Sequence, residues 1–122
     1  DWTYKTRYKD LVDYYAALAA IRHEHPGFCL GDAELVREKL SFIDVDDPCV
    51  VAFRIEGLSG IDTVQSLTVL LNGSKKQVKI EIPAGNYVTL AQNGVADPDG
   101  LGASSTRYCT AAPTSATILA EY

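Results

Sequence analysis

Residues 67–96, LTVLLNGSKKQVKIEIPAGNYVTLAQNGVA, decide the fold that this sequence predicts. Residues 67–71 are almost wholly apolar, which is typical of a central strand. Residues 78–82 alternate apolar and polar side chains, and this period of two indicates a strand with one buried and one solvated face. Turn-forming groups follow at Asn72-Gly73, Pro83-Ala84-Gly85 and Asn93-Gly94. The stretch therefore predicts antiparallel strands joined by short turns.

Strand patterns continue on both sides of this stretch. Seven segments have the composition and length of strands: residues 40–44, 49–56, 65–72, 77–82, 86–91, 106–110 and 114–121. Residues 93–105 are rich in Gly, Asp, Ala and Ser and predict a long surface loop. Short strands at this spacing indicate a mainly β fold, an antiparallel β-sandwich of about six to seven strands.

A long helix is predicted before the strands. Residues 4–25 repeat apolar side chains with a period of 3.6, and one stripe contains Tyr8, Leu11, Val12, Tyr15, Leu18 and Ala19. A second set, Tyr14, Ala17 and Ile21, widens this stripe, so we expect the helix to be covered on more than one side. Pro26-Gly27 ends the helix. Asp32 predicts the N-cap of a brief helix over residues 33–39.

Length and charge exclude several classes of protein. The 122 residues suffice for one ordinary domain, and 11 Lys and Arg against 16 Asp and Glu give a net charge of −5. We expect no nucleic-acid or anionic-membrane partner, because both require basic patches. No apolar run approaches the roughly 20 residues that span a bilayer. A start at Asp1, without Met or a signal peptide, predicts a processed product or an excised piece of a longer protein.

The three cysteines give no metal or redox motif. Cys29, Cys49 and Cys109 are widely spaced and cannot all pair within one chain. We expect free, mostly buried thiols, since an unpaired cysteine behaves as a small apolar residue. A single bridge, which would leave one odd thiol, is the alternative. The redox compartment therefore stays open.

Two kinds of pattern could hold a metal ion. His23 and His25 resemble a His-x-His pair, but positions i and i+2 of a helix diverge by about 200°, so capping of the last helical carbonyls is favoured. Two acidic groups could offer oxygen ligands to calcium: Asp44, Asp46 and Asp47, and the loop Asp97-Pro98-Asp99-Gly100. Asp beside Gly and Pro is an ordinary turn-former, which explains both groups without a metal. We expect no cofactor.

The sequence patterns that could indicate a catalytic site are weaker than those that could indicate a metal site. No pair of acids converges from rigid elements, and no G-x-S-x-G elbow is present. A dyad of Cys29 and His25 is conceivable, but packing is the favoured role of this thiol. Trp2, Tyr87 and Tyr108 could instead form a sugar-stacking platform, because flat rings offer faces to pyranose sugars. Each of the three is also an expected core or interface residue.

Several motifs resemble a known family when they are taken in order. The segment Leu18-Ala-Ala-Ile-Arg22-His-Glu-His25-Pro26-Gly-Phe28 resembles the pattern L-I-A-L-R-x-x-H-P-x-F of the alpha-amylase superfamily of glycoside hydrolases. LVREKLSFID, CVVAFRI, the strand pair of residues 67–96 and TSATILAEY then follow as in the bacterial pullulanase branch. The family's positions are occupied by Asn72, Pro83, Gly85, Tyr87, Asn93, Gly94, Ser115 and Ala116.

The resemblance implies a division of the chain. In this family the first motif closes the last helix of the catalytic (β/α)₈ barrel and leads into a C-terminal β-sandwich. Residues 1–27 are then expected to be the last helix of an absent barrel, and residues 28–122 the C-terminal β-sandwich domain. A barrel requires roughly 250 residues, so its chemistry does not fit within this chain.

The resemblance also implies a function. It predicts an accessory, structural domain of a pullulanase-like starch-debranching hydrolase of α-1,6-glucosidic bonds, itself not an enzyme. None of the family's catalytic motifs is present, so no catalytic residue is carried over. The expected partner is the catalytic barrel of the parent chain, with self-association through the N-terminal helix where the barrel is missing. An α-glucan-binding module that uses Trp2, Tyr87 or Tyr108 is the alternative.

Some properties of the parent stay open. The resemblance implies a bacterial enzyme that is cytoplasmic, secreted or attached to the cell surface. Calcium is compatible with the parent enzyme but is not supported by residues of this chain.

Overall fold

Two helices precede the sheet, as the periodicity predicts. The computed structural model describes the backbone of residues 2–122 and the side chains of residues 9–122. Helix α1 spans Trp2–Glu24, and a 3-10 turn follows at Pro26–Phe28. Helix α2 spans Ala33–Lys39, and the Asp32 carboxylate accepts a hydrogen bond of 2.9 Å from the Glu34 N–H, which confirms the predicted N-cap.

Seven antiparallel strands form one connected sheet. They are β1 (Leu40–Ile43), β2 (Val50–Ile55), β3 (Ser66–Asn72), β4 (Val78–Gln92), β5 (Val95–Ala96), β6 (Gly102–Ala111) and β7 (Ser115–Glu121). The strand order is β1-β2-β3-β7-β4-β5, and β6 pairs with β4 outside this path. The predicted fold class is therefore confirmed.

Strand β4 differs from the prediction of two separate strands over residues 77–82 and 86–91. It is one bent strand, whose first part pairs with β6 and whose second part also pairs with β7. The register shifts between Glu81 and Gly85, so Pro83-Ala84-Gly85 is a bulge and not a turn. A Cβ at Gly85 would collide with the Glu121 carboxylate, which explains the glycine. The bend folds the sheet over into two layers.

The long loop predicted over residues 93–105 is shorter than expected. Asn93 and Gly94 have φ of 52° and 76°, and this left-handed pair makes a tight hairpin between β4 and β5. Strand β6 already begins at Gly102, because its first residues complete the pairing with the second half of β4. Backbone pairing thus overrides a composition that is typical of a loop.

Two hydrophobic cores hold the layers together. The first lies between the layers and contains Ala52, Leu70, Ile80, Cys109 and Leu119, among others. The second lies on the opposite face of β2, β3 and β7 and contains Leu58, Val64, Leu67 and Leu90 together with Ile21 of α1. Helix α1 therefore packs on the outer face of the sheet.

The face of α1 that contacts the sheet is not the predicted main stripe. Ile21 is buried, and Tyr14, Ala17 and Leu18 are half-buried. All of these except Leu18 belong to the second predicted set. Leu11, Val12 and Tyr15 of the main stripe are exposed, and the side chain of Tyr8 lies outside the described residues. The helix is thus covered on one side only.

A buried hydrogen bond fixes the end of α1 to the sheet. His25 Nδ1 donates a hydrogen bond of 3.0 Å to Asp62 Oδ1, and the Gly27 N–H donates one of 3.1 Å to Asp62 Oδ2. The side chain of Asp62 is fully enclosed, and that of His25 is almost so. The expectation that His25 caps helical carbonyls is wrong, since its ring turns to Asp62. These contacts are called the His25–Asp62 clamp below.

The surroundings of Asp62 favour its charged form. Burial by itself raises the pKa of this carboxyl, but hydrogen bonds from His25 and from the N–H groups of Gly27 and Val64 outweigh burial and hold the pKa below its usual value. A Cβ at Gly27 would lie 2.6 Å from Leu58 Cδ1, so glycine is required for this approach. The clamp therefore stabilises the fold while Asp62 is ionised.

A second polar anchor lies at the far end of β3. The Asn72 amide donates to the carbonyls of Lys76, Ala111 and Ala112 at 2.7, 3.2 and 3.1 Å. Its oxygen accepts a hydrogen bond of 3.0 Å from the Ser74 N–H. Asn72 thereby joins the end of β3 to the segment before β4 and to the end of β6.

We expect Asn72→Ala to lower the free energy of unfolding by about 2–3 kcal/mol, because it leaves buried carbonyl groups without a donor. Urea unfolding followed by circular dichroism measures the loss. Asn86→Ala is the control, since Asn86 is exposed on β4. Equal stabilities of the two variants would show that Asn72 is not an anchor.

We expect Asp62→Asn to lower the free energy of unfolding by about 3 kcal/mol at pH 7, because it removes the buried carboxylate that accepts hydrogen bonds from His25, Gly27 and Val64. The folded-state pKa of Asp62 is depressed, so its contribution is complete above the unfolded value of about 3.9 and is lost as pH falls through the folded value. The difference between wild type and variant should therefore shrink below about pH 4 in urea titrations. Asp99→Asn, at an exposed position, is the control. A constant difference down to pH 2 would contradict the role of the charge.

Candidate functional site

Helix α1 presents an apolar face that this chain does not cover. Tyr15 lies about one turn after the adjacent pair Leu11 and Val12, and it is 62% exposed. All three are exposed, whereas Ile21 and the half-buried Tyr14 occupy the side of α1 that packs on the sheet. The His25–Asp62 clamp holds this face in one orientation.

The sheet extends the apolar face beside α1. Val51 and Leu71 are paired across β2 and β3 and are both exposed. Phe42 on edge strand β1 is 70% exposed, and its ring packs edge-on against Phe53 with centroids 6.0 Å apart. A shallow cleft between helix and sheet is lined by Tyr14 together with Val51 and Leu71.

We call this combined area the docking surface, which consists of Leu11, Val12, Tyr15, Phe42, Val51 and Leu71. Exposed apolar residues on adjacent elements, unlike single exposed residues, are typical of an interaction site. The sequence predicted its helical half correctly as an apolar stripe. The half on the sheet was missed, although Phe42 and Val51 fall on solvent positions of strands that alternate.

Tyr87 is part of a buried polar network and not of a surface. The Arg54 guanidinium donates to Thr68 Oγ1 at 2.8 Å, to the Tyr87 hydroxyl at 3.0 Å and to Glu121 Oε1 at 3.1 Å. The Tyr87 hydroxyl donates to the Pro83 carbonyl at 2.6 Å. Burial raises the pKa of Tyr87, and nearby Arg54 opposes this effect.

The buried position of Tyr87 excludes it as one of the three expected sugar-stacking residues. Tyr87 is 1% exposed, so its ring offers no face on which a sugar could stack, and the expectation for it is wrong. The sequence did not predict the network around it. The available signal was Arg54, a charged residue inside the otherwise apolar strand CVVAFRI.

Tyr108 lies in a different setting, in a cleft beside strand β6. It lines a cleft of about 370 Å³, and the other lining residues include Lys79, Thr89, Gln92, Ser104 and Thr110. Lys79 Nζ lies 4.0 Å from the centre of the Tyr108 ring and Arg107 Cζ 5.3 Å from it. The ring is thus a fixed wall with cationic neighbours and not a bare platform. These six residues are called the polar cleft. The side chain of Trp2, the third candidate, lies outside the described residues.

The acidic loops act as turns in this structure. Asp47 Oδ1 accepts a hydrogen bond of 2.9 Å from the Cys49 N–H, and Asp97 Oδ1 accepts one of 2.9 Å from the Asp99 N–H. His23 is exposed whereas His25 is buried, so the two rings do not face one site. Among the residues that the structure describes, no group of three His, Cys, Asp or Glu side chains is placed to hold a metal ion.

The thiols are free, but only one of the three is buried. Cys109 lies in the first core, where burial raises its pKa to about 12, while Cys29 and Cys49 are exposed. Cys29 Sγ accepts a hydrogen bond of 3.3 Å from Arg22 Nε, and His25 is engaged by Asp62, so the two do not form a dyad. In the described part of the chain, neither helix has the length and apolarity to cross a membrane.

Comparisons with known proteins identify the fold. Residues 36–94 match a family model described as "Pullulanase, all-beta domain". The whole chain superimposes on a pullulanase from Bacillus acidopullulyticus with a TM-score of 0.83 and 23% identity, covering 99% of this chain and 15% of that one. A pullulanase from an Anoxybacillus species, complexed with maltotetraose, gives 0.81 and 18%, covering 100% and 17%.

A third solved structure is more similar in sequence. It is a pullulanase from Paenibacillus barengoltzii in complex with maltohexaose and alpha-cyclodextrin, with a TM-score of 0.70 and 25% identity, covering 99% of this chain and 18% of that one. The chain therefore spans less than a fifth of the length of these pullulanases. The match of residues 36–94 to this family model confirms the resemblance that the ordered motifs of the sequence indicated.

Proposed function

We propose that this chain is the accessory domain of a pullulanase-like starch-debranching hydrolase that acts on α-1,6-glucosidic bonds. In this proposal residues 1–27 are the last helix of the parent's catalytic (β/α)₈ barrel, and residues 28–122 are the C-terminal β-sandwich. The domain supports the barrel and carries no catalytic residue. The observation that carries the proposal is the docking surface.

The proposed occupant of the docking surface is the catalytic barrel. The chain covers only 15–18% of the pullulanases that it resembles, so most of such an enzyme lies outside these 122 residues. The exposed stripe belongs to α1, the element that the sequence motif relates to the end of a barrel. Neighbouring barrel helices would bury Leu11, Val12 and Tyr15, as a helix in a barrel wall is covered on both sides.

A buried polar atom at the foot of α1 gives further support. His25 Nε2 has no hydrogen-bond partner among the described residues. Buried polar atoms in complete proteins nearly always have one. A donor or acceptor from the barrel, placed beside the His25–Asp62 clamp, would satisfy this atom.

The second candidate function is an α-glucan-binding module. Tyr108 favours it, because this residue lines a cleft rich in hydroxyl and amide groups. This function is compatible with the first, since the polar cleft and the docking surface share none of their residues. Where the barrel is absent, we expect copies of this chain to associate through the docking surface.

The full-length enzyme tests the role of the docking surface. We expect Val12→Lys and Tyr15→Lys to destabilise it by about 2–3 kcal/mol each, because each would bury an unpaired charge against the barrel. Residual pullulan hydrolysis after heating measures the effect, and activity at low temperature should be retained. Asp13→Lys, at an exposed position of the same helix, is the control. Variants as heat-stable as this control would contradict barrel docking.

The isolated chain tests whether the catalytic groups belong to the barrel and not to this domain. We expect the 122-residue protein to release no reducing ends from pullulan, because the catalytic groups belong to the barrel. A reducing-sugar assay at high protein concentration makes this measurement. Turnover above that of a heat-denatured sample would contradict an accessory role.

A further inference from the structure

We propose that Asn93 is a site of covalent modification, at which the folded protein converts asparagine into aspartate and isoaspartate without an enzyme. The chain contains two Asn-Gly pairs, Asn72-Gly73 and Asn93-Gly94. Asparagine before glycine is prone to this reaction, because glycine has no side chain to shield its backbone nitrogen. The two pairs have opposite surroundings in the fold, and only the second is open to the reaction.

The reaction requires a free backbone nitrogen and a free side-chain amide. The Gly94 nitrogen bonds to Cγ of Asn93, its proton leaves with the side-chain nitrogen as ammonia, and a succinimide ring remains. Water then opens the ring. Cleavage of the bond between Cγ and the Gly94 nitrogen gives aspartate, whereas cleavage of the bond between the main-chain carbonyl carbon and this nitrogen gives isoaspartate. No oxidant or reductant takes part.

Asn93-Gly94 meets both requirements. The pair forms the tip of the hairpin between β4 and β5, and both residues are exposed. The Gly94 N–H lies between the paired residues Gln92 and Val95 and has no backbone acceptor among the described residues. The Asn93 amide likewise has no hydrogen-bond partner in the described part of the chain. A Cβ at Gly94 would meet no atom within 4 Å, so the space beside this nitrogen is open to solvent.

Asn72-Gly73 meets neither requirement. The Gly73 N–H donates a hydrogen bond of 2.9 Å to the Cys49 carbonyl. The Asn72 side chain is buried, and its amide nitrogen donates to three backbone carbonyls. Reaction at Asn72 therefore requires that these hydrogen bonds open first, which lowers its rate by the equilibrium constant of local opening.

Modification of Asn93 acts on the packing of α1. The hairpin tip and α1 line one cleft, whose residues are Asp10, Asp13, Tyr14, Gly94, Val95 and Ala96. A carboxylate at position 93 adds a negative charge at the margin of a cleft that already holds two acids, and like charges repel. Isoaspartate also lengthens the main chain by one carbon, which a two-residue turn with left-handed φ angles does not accommodate. We expect both products to loosen the contact between the hairpin and α1.

Incubation of the folded 122-residue protein in mildly alkaline buffer tests the proposal, with peptide mass spectrometry to separate asparagine, aspartate and isoaspartate. We expect Asn93 to convert at least about tenfold faster than Asn72. In urea, where both pairs are unfolded, the two rates should become similar. Asn93→Gly is the matched control, because glycine tolerates the left-handed φ of 52° and lacks the amide. This variant should form no new species at the hairpin.

Two results would overturn the proposal. The first is equal conversion of Asn72 and Asn93 in the folded protein. The second is an Asn93 that stays intact in the folded protein although it reacts in urea, since the hairpin would then protect it.

The effect on α1 is measured separately, by hydrogen exchange of the amides of residues 10–14. Asn93→Asp, which adds the charge alone, should speed this exchange. Asn86→Asp, at an exposed position of β4 outside the cleft, should leave it unchanged. Unchanged exchange in both the Asn93→Asp variant and the isoaspartate form would contradict the link between the hairpin and α1.

Discussion

The hydrogen-bonded pair of His25 and Asp62 connects the two parts of the molecule. It joins the residue after α1 to the loop between β2 and β3, which lie 37 positions apart in sequence. Asp62 also accepts from the Gly27 N–H, so one carboxylate fixes the turn that leaves the helix. The direction of α1, and with it the direction of the docking surface, depends on this contact. A looser junction would let the helix rotate and would mix its covered and uncovered faces.

Other polar contacts fix the sandwich itself. Asn72 closes one end of the two layers, and the network of Arg54, Tyr87 and Glu121 closes the corner formed by the β4 bulge. Gly85 leaves the space that the Glu121 carboxylate occupies. Several residues that carry the family resemblance thus have a structural role in this chain. Their function is to hold a bent strand in place, which is compatible with an accessory domain.

Much of the fold could be predicted from local sequence signals. The limits of α2, the N-cap Asp32 and the Asn93-Gly94 hairpin follow from contacts within a few residues. The bend of β4 could not be predicted, because Pro83 and Gly85 are equally typical of a turn, and only the pairing with β6 and β7 decides between them. The role of Asp62 could not be predicted either, because an acidic residue near Gly60 is equally typical of an ordinary surface turn. The identity of the covered face of α1 depends likewise on distant residues of the sheet.

The candidate sites, like the fold, could be predicted only in part from the sequence. The stripe of Leu11, Val12 and Tyr15 was visible as a pattern, but the exposure of its members is a property of the folded chain. Tyr87 and Tyr108 look alike in sequence, whereas one is enclosed beside Arg54 and the other lines the polar cleft. Aromatic residues on strands cannot be assigned to core or surface without the register of the sheet.

The central claim is that the docking surface is covered by the rest of the parent enzyme. Hydrogen exchange measured by mass spectrometry on the isolated chain and on the full-length enzyme tests it most directly. Burial against the barrel predicts that the amides around Val12 and Tyr15 exchange at least about a hundredfold more slowly in the full-length enzyme, whereas the amides of core strand β3 change little. Equal exchange of this helical segment in both proteins would contradict the claim.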